Sequence, residues 1–189
     1  GCVHNSHMQF QAILTSIALL AGLMLPHAGH AVPTKSKPRA QAPSDTPILE
    51  MQQAFKKGDR KRLAALLPQV QGHALEPWGA YWELAARLDE AGPTEIRSFL
   101  TRYAGTYQED RLRNDWLLLL GKRRDWTNFA AELPLYRMND DASVRCYALL
   151  AEAQNKDADV AQQVQELWLA QRDAEEGCTA AADYLLRNE

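Results

Sequence analysis

The stretch Gly58-Asp59-Arg60-Lys61-Arg62-Leu63-Ala64-Ala65-Leu66-Leu67-Pro68-Gln69-Val70 sets the pattern for the chain. Gly58 is a natural helix stop, because glycine enters the left-handed conformation without a steric penalty. Asp59 is a good N-cap for whatever follows. Leu63, Leu66, Leu67 and Val70 then fall at i, i+3, i+4 and i+7, the signature of one helix face. The stretch thus holds a stop, a cap and an apolar stripe, and the same grammar recurs on both sides of it.

Upstream, Pro47 suits a helix start, where its missing N–H is no loss, and Ile48, Met51 and Phe55 follow at helical spacing. Downstream, Pro77 opens a third helix with Trp78, Tyr81, Trp82 and Ala85 on one face, stopped by Gly92. Pro93 opens a fourth with Ile96, Phe99, Leu100 and Tyr103, stopped by Gly105. The fifth runs from about Gln108 through Leu112, Trp116, Leu119 and Leu120. Asp125 caps a sixth carrying Trp126, Phe129, Ala130 and Leu133, and Asp140 or Asp141 opens a seventh through Val144, Tyr147, Ala148 and Ala151. Val160, Val164, Leu167 and Trp168 mark an eighth, and Glu176 to Arg187 a ninth. No stretch alternates with a period of two, so no sheet is expected. Short helices with short links pack as antiparallel neighbours, and a row of such hairpins buries its apolar faces only by stacking. The expected fold is all-α, an irregular α-solenoid or superhelix of about nine short antiparallel helices, with a compact bundle as the alternative. No strict sequence repeat is visible.

Of the 189 residues, 46% are hydrophobic and 24% charged, an ordinary globular balance. Residues 1 to 31 nevertheless contain no Lys, Arg, Asp or Glu. The apolar run Ala12 to Leu25 is shorter than the about 20 residues needed to span a bilayer, so no stable membrane span is expected. Pro26 ends that run, and Gly29 and Ala31 are small residues suited to cleavage after Ala31. Residues 8–31 therefore read as a secretory signal peptide and 1–7 as a tag or upstream remnant. The expected localisation is the periplasm. Residues 32–45, with Pro33, Pro38 and Pro43, form a proline-rich linker. Residues 46–189 form the helical domain. A net charge of −3 gives no electrostatic reason to expect a nucleic-acid partner.

Chemistry-bearing motifs are scarce. His4, His7, His27 and His30 lie in the leader, which leaves His73 alone in the domain and no metal-ligand spacing. There is no glycine-rich phosphate loop and no Gly-x-Ser-x-Gly, so no cofactor and no catalytic residue is assigned. Carboxylates occur in nearly every helix, mostly on its polar face, and none stands out. Most aromatic rings fall on apolar faces and read as core, with Tyr107 and Tyr136, expected in loops, as the exposed exceptions. In an exported domain Cys146 and Cys178 tend to pair, with two buried free thiols as the other reading.

Several motifs in order resemble a known family. Leu112-Arg113-Asn114-Asp115-Trp116-Leu117 is followed by Arg124-Asp125-Trp126, then by Val144-Arg145-Cys146-Tyr147-Ala148, then by Glu166-Leu167-Trp168-Leu169 and Cys178. Together they resemble the amino-terminal superhelical, U-shaped domain of soluble lytic murein transglycosylases, over about Thr46 to Asn188. The match rests on Trp116, Trp126, Leu167, Trp168 and Leu169, and on Cys146 and Cys178, which pair in that family. Thr179 and Ala180 depart from the acidic residue and proline that often follow the second cysteine there.

The resemblance implies a parent enzyme that cleaves the β-1,4 bond between N-acetylmuramic acid and N-acetylglucosamine, leaving 1,6-anhydro ends. Its catalytic Glu, followed by Ser, belongs to a lysozyme-like domain at the far carboxyl end. No Glu here is followed by Ser, so this chain would be a non-catalytic part, inactive alone and truncated at its carboxyl end. Its implied partners are peptidoglycan glycan strands, met through the full-length enzyme, and that enzyme's remaining superhelix and catalytic domain. The alternative is a stand-alone periplasmic helical-repeat adaptor that binds protein or cell-wall partners.

Overall fold

The structure, a computed structural model, describes residues 44–154 and 160–188. The leader, residues 1–7 and all of the linker before Ser44 lie outside the described residues. The described residues form nine α-helices and no strand. They are α1 (Thr46–Lys56), α2 (Arg60–Leu66), α3 (Glu76–Ala85), α4 (Pro93–Arg102), α5 (Tyr107–Arg123), α6 (Trp126–Glu132), α7 (Ala142–Gln154), α8 (Ala161–Ala170) and α9 (Glu176–Asn188). The all-α expectation holds.

The odd-numbered helices form one continuous layer, in which α1 packs on α3, α3 on α5, α5 on α7 and α7 on α9. Among the even-numbered helices, α2 packs against α1 and α3, α4 and α6 against α5, and α8 against α7 and α9. This is the two-layer stacking of an α-solenoid, where each hairpin completes the core of the one before. Met51, Leu63 and Val70 are fully buried in a first cluster, and Leu112, Leu117 and Val144 in a second, larger one. Each such side chain contributes about 1.5–3 kcal/mol when removed from water.

The backbone reveals a repeat that the composition hides. Asp59 and Asp125 cap α2 and α6 with nearly the same torsions, φ −82°, ψ 81° and φ −80°, ψ 72°. Their carboxylates accept from Arg62 N at 3.0 Å and Asn128 N at 3.2 Å. Both helices run into a 3-10 turn, Leu67–Val70 and Leu133–Leu135, each with a proline at its second position. In register, Asp59, Ala64, Ala65, Leu67 and Pro68 match Asp125, Ala130, Ala131, Leu133 and Pro134. The same register pairs Met51 with Leu117, Leu63 with Phe129, Val70 with Tyr136, Tyr81 with Tyr147 and Leu84 with Leu150, and all ten are buried. The described residues therefore contain two copies of one helical unit, α1–α4 and α5–α8, and α9 stands where a third would begin. The repeat is not a strict one in sequence: the copies keep caps, turns and burial while their surface residues differ.

Other expectations are revised locally. The second and sixth helices end before Pro68 and Pro134 and tighten into 3-10 turns, because proline removes the N–H that a continuing α-helix needs. Gly92 does not stop α3, which ends at Ala85; Gly92 is the extended N-cap residue of α4. Tyr107 is exposed as expected, yet it is the first residue of α5 rather than part of a loop. Tyr136 is buried, because it fills the place of Val70 in the second copy, and its hydroxyl donates to Asp140 Oδ1 at 2.9 Å. Trp168, expected in the core, is 37% exposed. Four carboxylates, Glu83, Glu109, Asp110 and Glu132, are buried rather than solvated.

Candidate functional site

The motif Leu112–Leu117 occupies the middle of α5, the one helix that touches α3, α4, α6, α7 and α9. Thr106 caps it by accepting from Glu109 N at 3.1 Å, while the Glu109 carboxylate accepts from Gly105 N at 2.8 Å. Each polar residue of the motif then fastens a different neighbour. Arg113 is buried between Glu109, at 2.8 Å, and Glu132 of α6. Glu132 also accepts from Arg97 Nε of α4 at 3.1 Å, and Arg97 Nη2 donates to Asn128 at 2.8 Å. Asn114 Nδ2 donates to Asp141 at 3.2 Å, and Asp141 caps α7 by accepting from Val144 N at 3.0 Å. Asp115 accepts the Tyr81 hydroxyl of α3 at 2.7 Å. One turn earlier, Asp110 accepts from Arg137 N and Met138 N at 2.9 and 2.8 Å, which ties down the chain entering α7.

The electrostatics fit a joint rather than a reaction centre. Burial alone would raise the Glu109 carboxyl, but hydrogen bonds from Arg113 and Gly105 and the Arg137 charge hold it below its usual range. Burial pushes Asp115 up, against the Tyr81 hydroxyl and the Arg111 charge that pull it down. Burial and the Asp115 charge push the Tyr81 phenol well above its ordinary value. A carboxyl with a raised pKa is the ingredient an acid catalyst needs. Asp115, however, is committed to Tyr81 and lies 3.6 Å from Arg111 Nε, and none of the grooves described below opens onto it. Arg113 Nε and Asn114 Oδ1 find no hydrogen-bond partner among the described residues.

Trp116 is buried beneath the Arg97 guanidinium, which lies 5.3 Å from its ring. Trp126 packs edge-on against Phe129 at 5.8 Å. Cys146 and Cys178 form a disulfide that joins α7 to α9, with Cα atoms 4.8 Å apart. The helices meet closely there because Gly177 lies against Ser143: its N–H donates to Ser143 Oγ at 2.7 Å, and a Cβ would fall 2.3 Å from the Ser143 carbonyl oxygen.

The Leu167-Trp168-Leu169 motif sits on α8. Leu167 is half-buried, while Trp168 and Leu169 face outward, Leu169 at 73% exposure. Trp168 and Leu169, with Val164, Leu185 and Leu186, line a groove of about 930 Å³ between α8 and α9. The joint between the two copies, α4 against α5, shows what such a face normally meets. Aligned from their first residues, Leu100 of α4 matches Trp168, and Leu117 of α5 matches Leu186. Leu100 and Leu117 are buried; Leu186 is 74% exposed. At that joint α6 packs on α5 and bonds Arg97 of α4 through Asn128 and Glu132. Among the described residues nothing takes the place of α6 over α8 and α9. Of the motif residues, the structure brings Cys146 and Cys178 together, and places Trp168 and Leu169 on the open face with Leu167 turned toward α7. Trp116 lies in the interior of the second copy and Trp126 is half-buried at its edge.

Sequence reasoning did not single out Arg113, Glu132 or Arg124 by role. Comparison of Asp59–Val70 with Asp125–Tyr136 would have exposed Glu132, since a leucine stands at its place in the first copy. No known protein family, curated protein or solved structure matches this chain.

Proposed function

We propose that this chain is the amino-terminal part of the superhelical domain of a periplasmic peptidoglycan lytic transglycosylase, and that it is a scaffold without catalytic groups of its own. The single observation that carries this reading is the open α8–α9 face, set against its covered counterpart over α4 and α5. A superhelix needs such a face at every internal joint, because each unit covers the one before. The order of the Leu-Arg-Asn-Asp-Trp-Leu, Arg-Cys and Leu-Trp-Leu motifs supports the family. The Cys146–Cys178 disulfide supports export, since such bonds persist in oxidising compartments.

The test is a comparison of this chain with the longest product of its native reading frame. The longer chain should release 1,6-anhydro-muropeptides from peptidoglycan sacculi, this chain should release none, and Trp168 fluorescence should be blue-shifted only in the longer chain. A frame with no lysozyme-like region downstream, together with a monodisperse domain that sediments with neither sacculi nor glycan, overturns the reading. A monodisperse domain of that kind that captures a periplasmic protein establishes the adaptor alternative instead.

A further inference from the structure

In the first copy the residue that ends α1 in the left-handed conformation is Gly58, at φ +67°. Its counterpart at the end of α5 is Arg124, at φ +60°. An L side chain is strained there, and glycine is the ordinary solution, which the first copy uses. The exchange is matched three residues upstream. Phe55 packs on Tyr81 at 6.2 Å between ring centroids, whereas its counterpart Gly121 has no side chain to place on Tyr147. The Arg124 guanidinium lies there instead, 5.7 Å from the Tyr147 ring and 5.6 Å from the Trp126 ring. One copy covers its tyrosine with a ring, the other with a charge held in a strained backbone.

Arg124 borders a pocket of about 460 Å³ between α7 and α9. Leu150 and Ala180 give it small apolar surfaces, and Glu176, Asp183 and Arg187 give it charge of both signs. Lys122 lies 3.3 Å from Glu176 and Arg187 3.9 Å from Asp183, in exposed single contacts that leave both carboxylates room for a further cation. Arg124 makes no ion pair among the described residues; its one hydrogen bond there is a long one, 3.5 Å, to the Gly121 carbonyl. Lying near two rings and outside any ion pair among the described residues, the guanidinium keeps N–H donors whose planar fork matches a carboxylate.

We infer that this pocket binds a short peptide segment carrying a free carboxylate and an ammonium group, with Arg124 as the carboxylate-binding residue. The carboxylate meets the Arg124 edge, the ammonium group faces Glu176 and Asp183, and small aliphatic side chains rest on Leu150 and Ala180. Two carboxylates in the lining disfavour a phosphate, which has no cationic end. The stem peptides of peptidoglycan have this chemistry, so the biological identity of the ligand rests on the function proposed above.

The probe is the tripeptide lysyl-D-alanyl-D-alanine, titrated into the oxidised protein and followed by amide chemical shifts, with its carboxyl-terminal amide and inorganic phosphate as controls. The acid should shift resonances of Arg124, Thr179 and Asp183, and the amide should bind at least tenfold more weakly. Arg124→Gly should weaken the acid at least tenfold while leaving the melting temperature equal or higher, because it removes the left-handed strain. Equal binding of acid and amide, stronger binding of phosphate, no shifts at the pocket, or undiminished binding by Arg124→Gly each overturns the inference. The amide comparison uses the unaltered protein, so it decides even where the variant folds poorly. Tripeptide binding without sedimentation on sacculi keeps the pocket and removes the murein reading; sedimentation without tripeptide binding does the reverse.

Discussion

The two copies of the helical unit share a backbone and differ in what their interiors are made of. In the first, Leu66 fills the buried position at the end of α2; in the second, Glu132 fills it at the end of α6 and is held by Arg113 and Arg97. The first ends its leading helix with Gly58, the second with Arg124. Only the second is joined to a neighbouring helix by a disulfide among the described residues. The same geometry thus tolerates an apolar joint or an ionic one. The ionic joint adds direction, because a guanidinium and a carboxylate accept fewer arrangements than two leucines do. It also makes the second copy more fragile to single changes, since one partner removed leaves the other charged and buried.

That difference is sharpest under Glu132→Leu, which gives the second copy the residue of the first. Arg113 keeps Glu109 but loses its second carboxylate, and unfolding in urea should show a loss of about 3 kcal/mol. Arg113→Met added to Glu132→Leu should restore part of it, since it removes the half-paired guanidinium while Glu109 keeps Gly105 N–H and Arg137. If the single change proves harmless, the ionic joint is not what orders the second copy.

Reduction of Cys146–Cys178 should lower stability by about 2–4 kcal/mol, measured as a shift of the urea midpoint with and without dithiothreitol. Hydrogen exchange should rise first in α7 and α9 and leave α1 and α2 protected. Gly121→Ala places a Cβ 2.4 Å from the Tyr147 ring and should cost about 1–3 kcal/mol by differential scanning calorimetry. The two caps should behave alike: Asp59→Ala and Asp125→Ala should each cost about 1 kcal/mol in thermal unfolding. A clear inequality between them would show that the copies are coupled differently to the rest of the stack.

The smallest effect is acid dependence. Glu109 lies below its ordinary 4.5 in the folded chain, so its contribution is complete above that pH and is lost as the pH falls through its lowered folded value. Asp115, raised above 3.8, works in the opposite sense: its anion disfavours folding, and acid relieves that. Stability measured from pH 6 to pH 3 should therefore fall on the acid side, and less so in Glu109→Gln.

Much of the fold was legible because caps and stops are local chemistry. Asp59, Asp125, Pro93 and Gly105 act on their own neighbours, so their effect can be read without knowing the partner helices. The 3-10 turns at Pro68 and Pro134 were less legible, because the apolar spacing of Leu63, Leu66, Leu67 and Val70 suits an α-helix and only the proline says otherwise. The polar joint of α5 was legible only at Glu132, which stands where the first copy has a leucine. Arg113 and Glu109 look like any charged residues on short helices until the stack closes over them. The open face had the opposite fault: Trp168 looks like core by spacing and is exposed because no described helix lies above it.

The sequence by itself determined the helices, most of their starts and the pairing-competent cysteines, since each follows from residues within a turn or two and from the chemistry of thiols. Tertiary structure alone decided which charges became interior, which copy of the repeat carries a strained arginine, and which apolar stripe stayed uncovered. Those depend on contacts between helices tens of residues apart, and the free energy of a buried charge or an exposed leucine is set by what stands next to it in space.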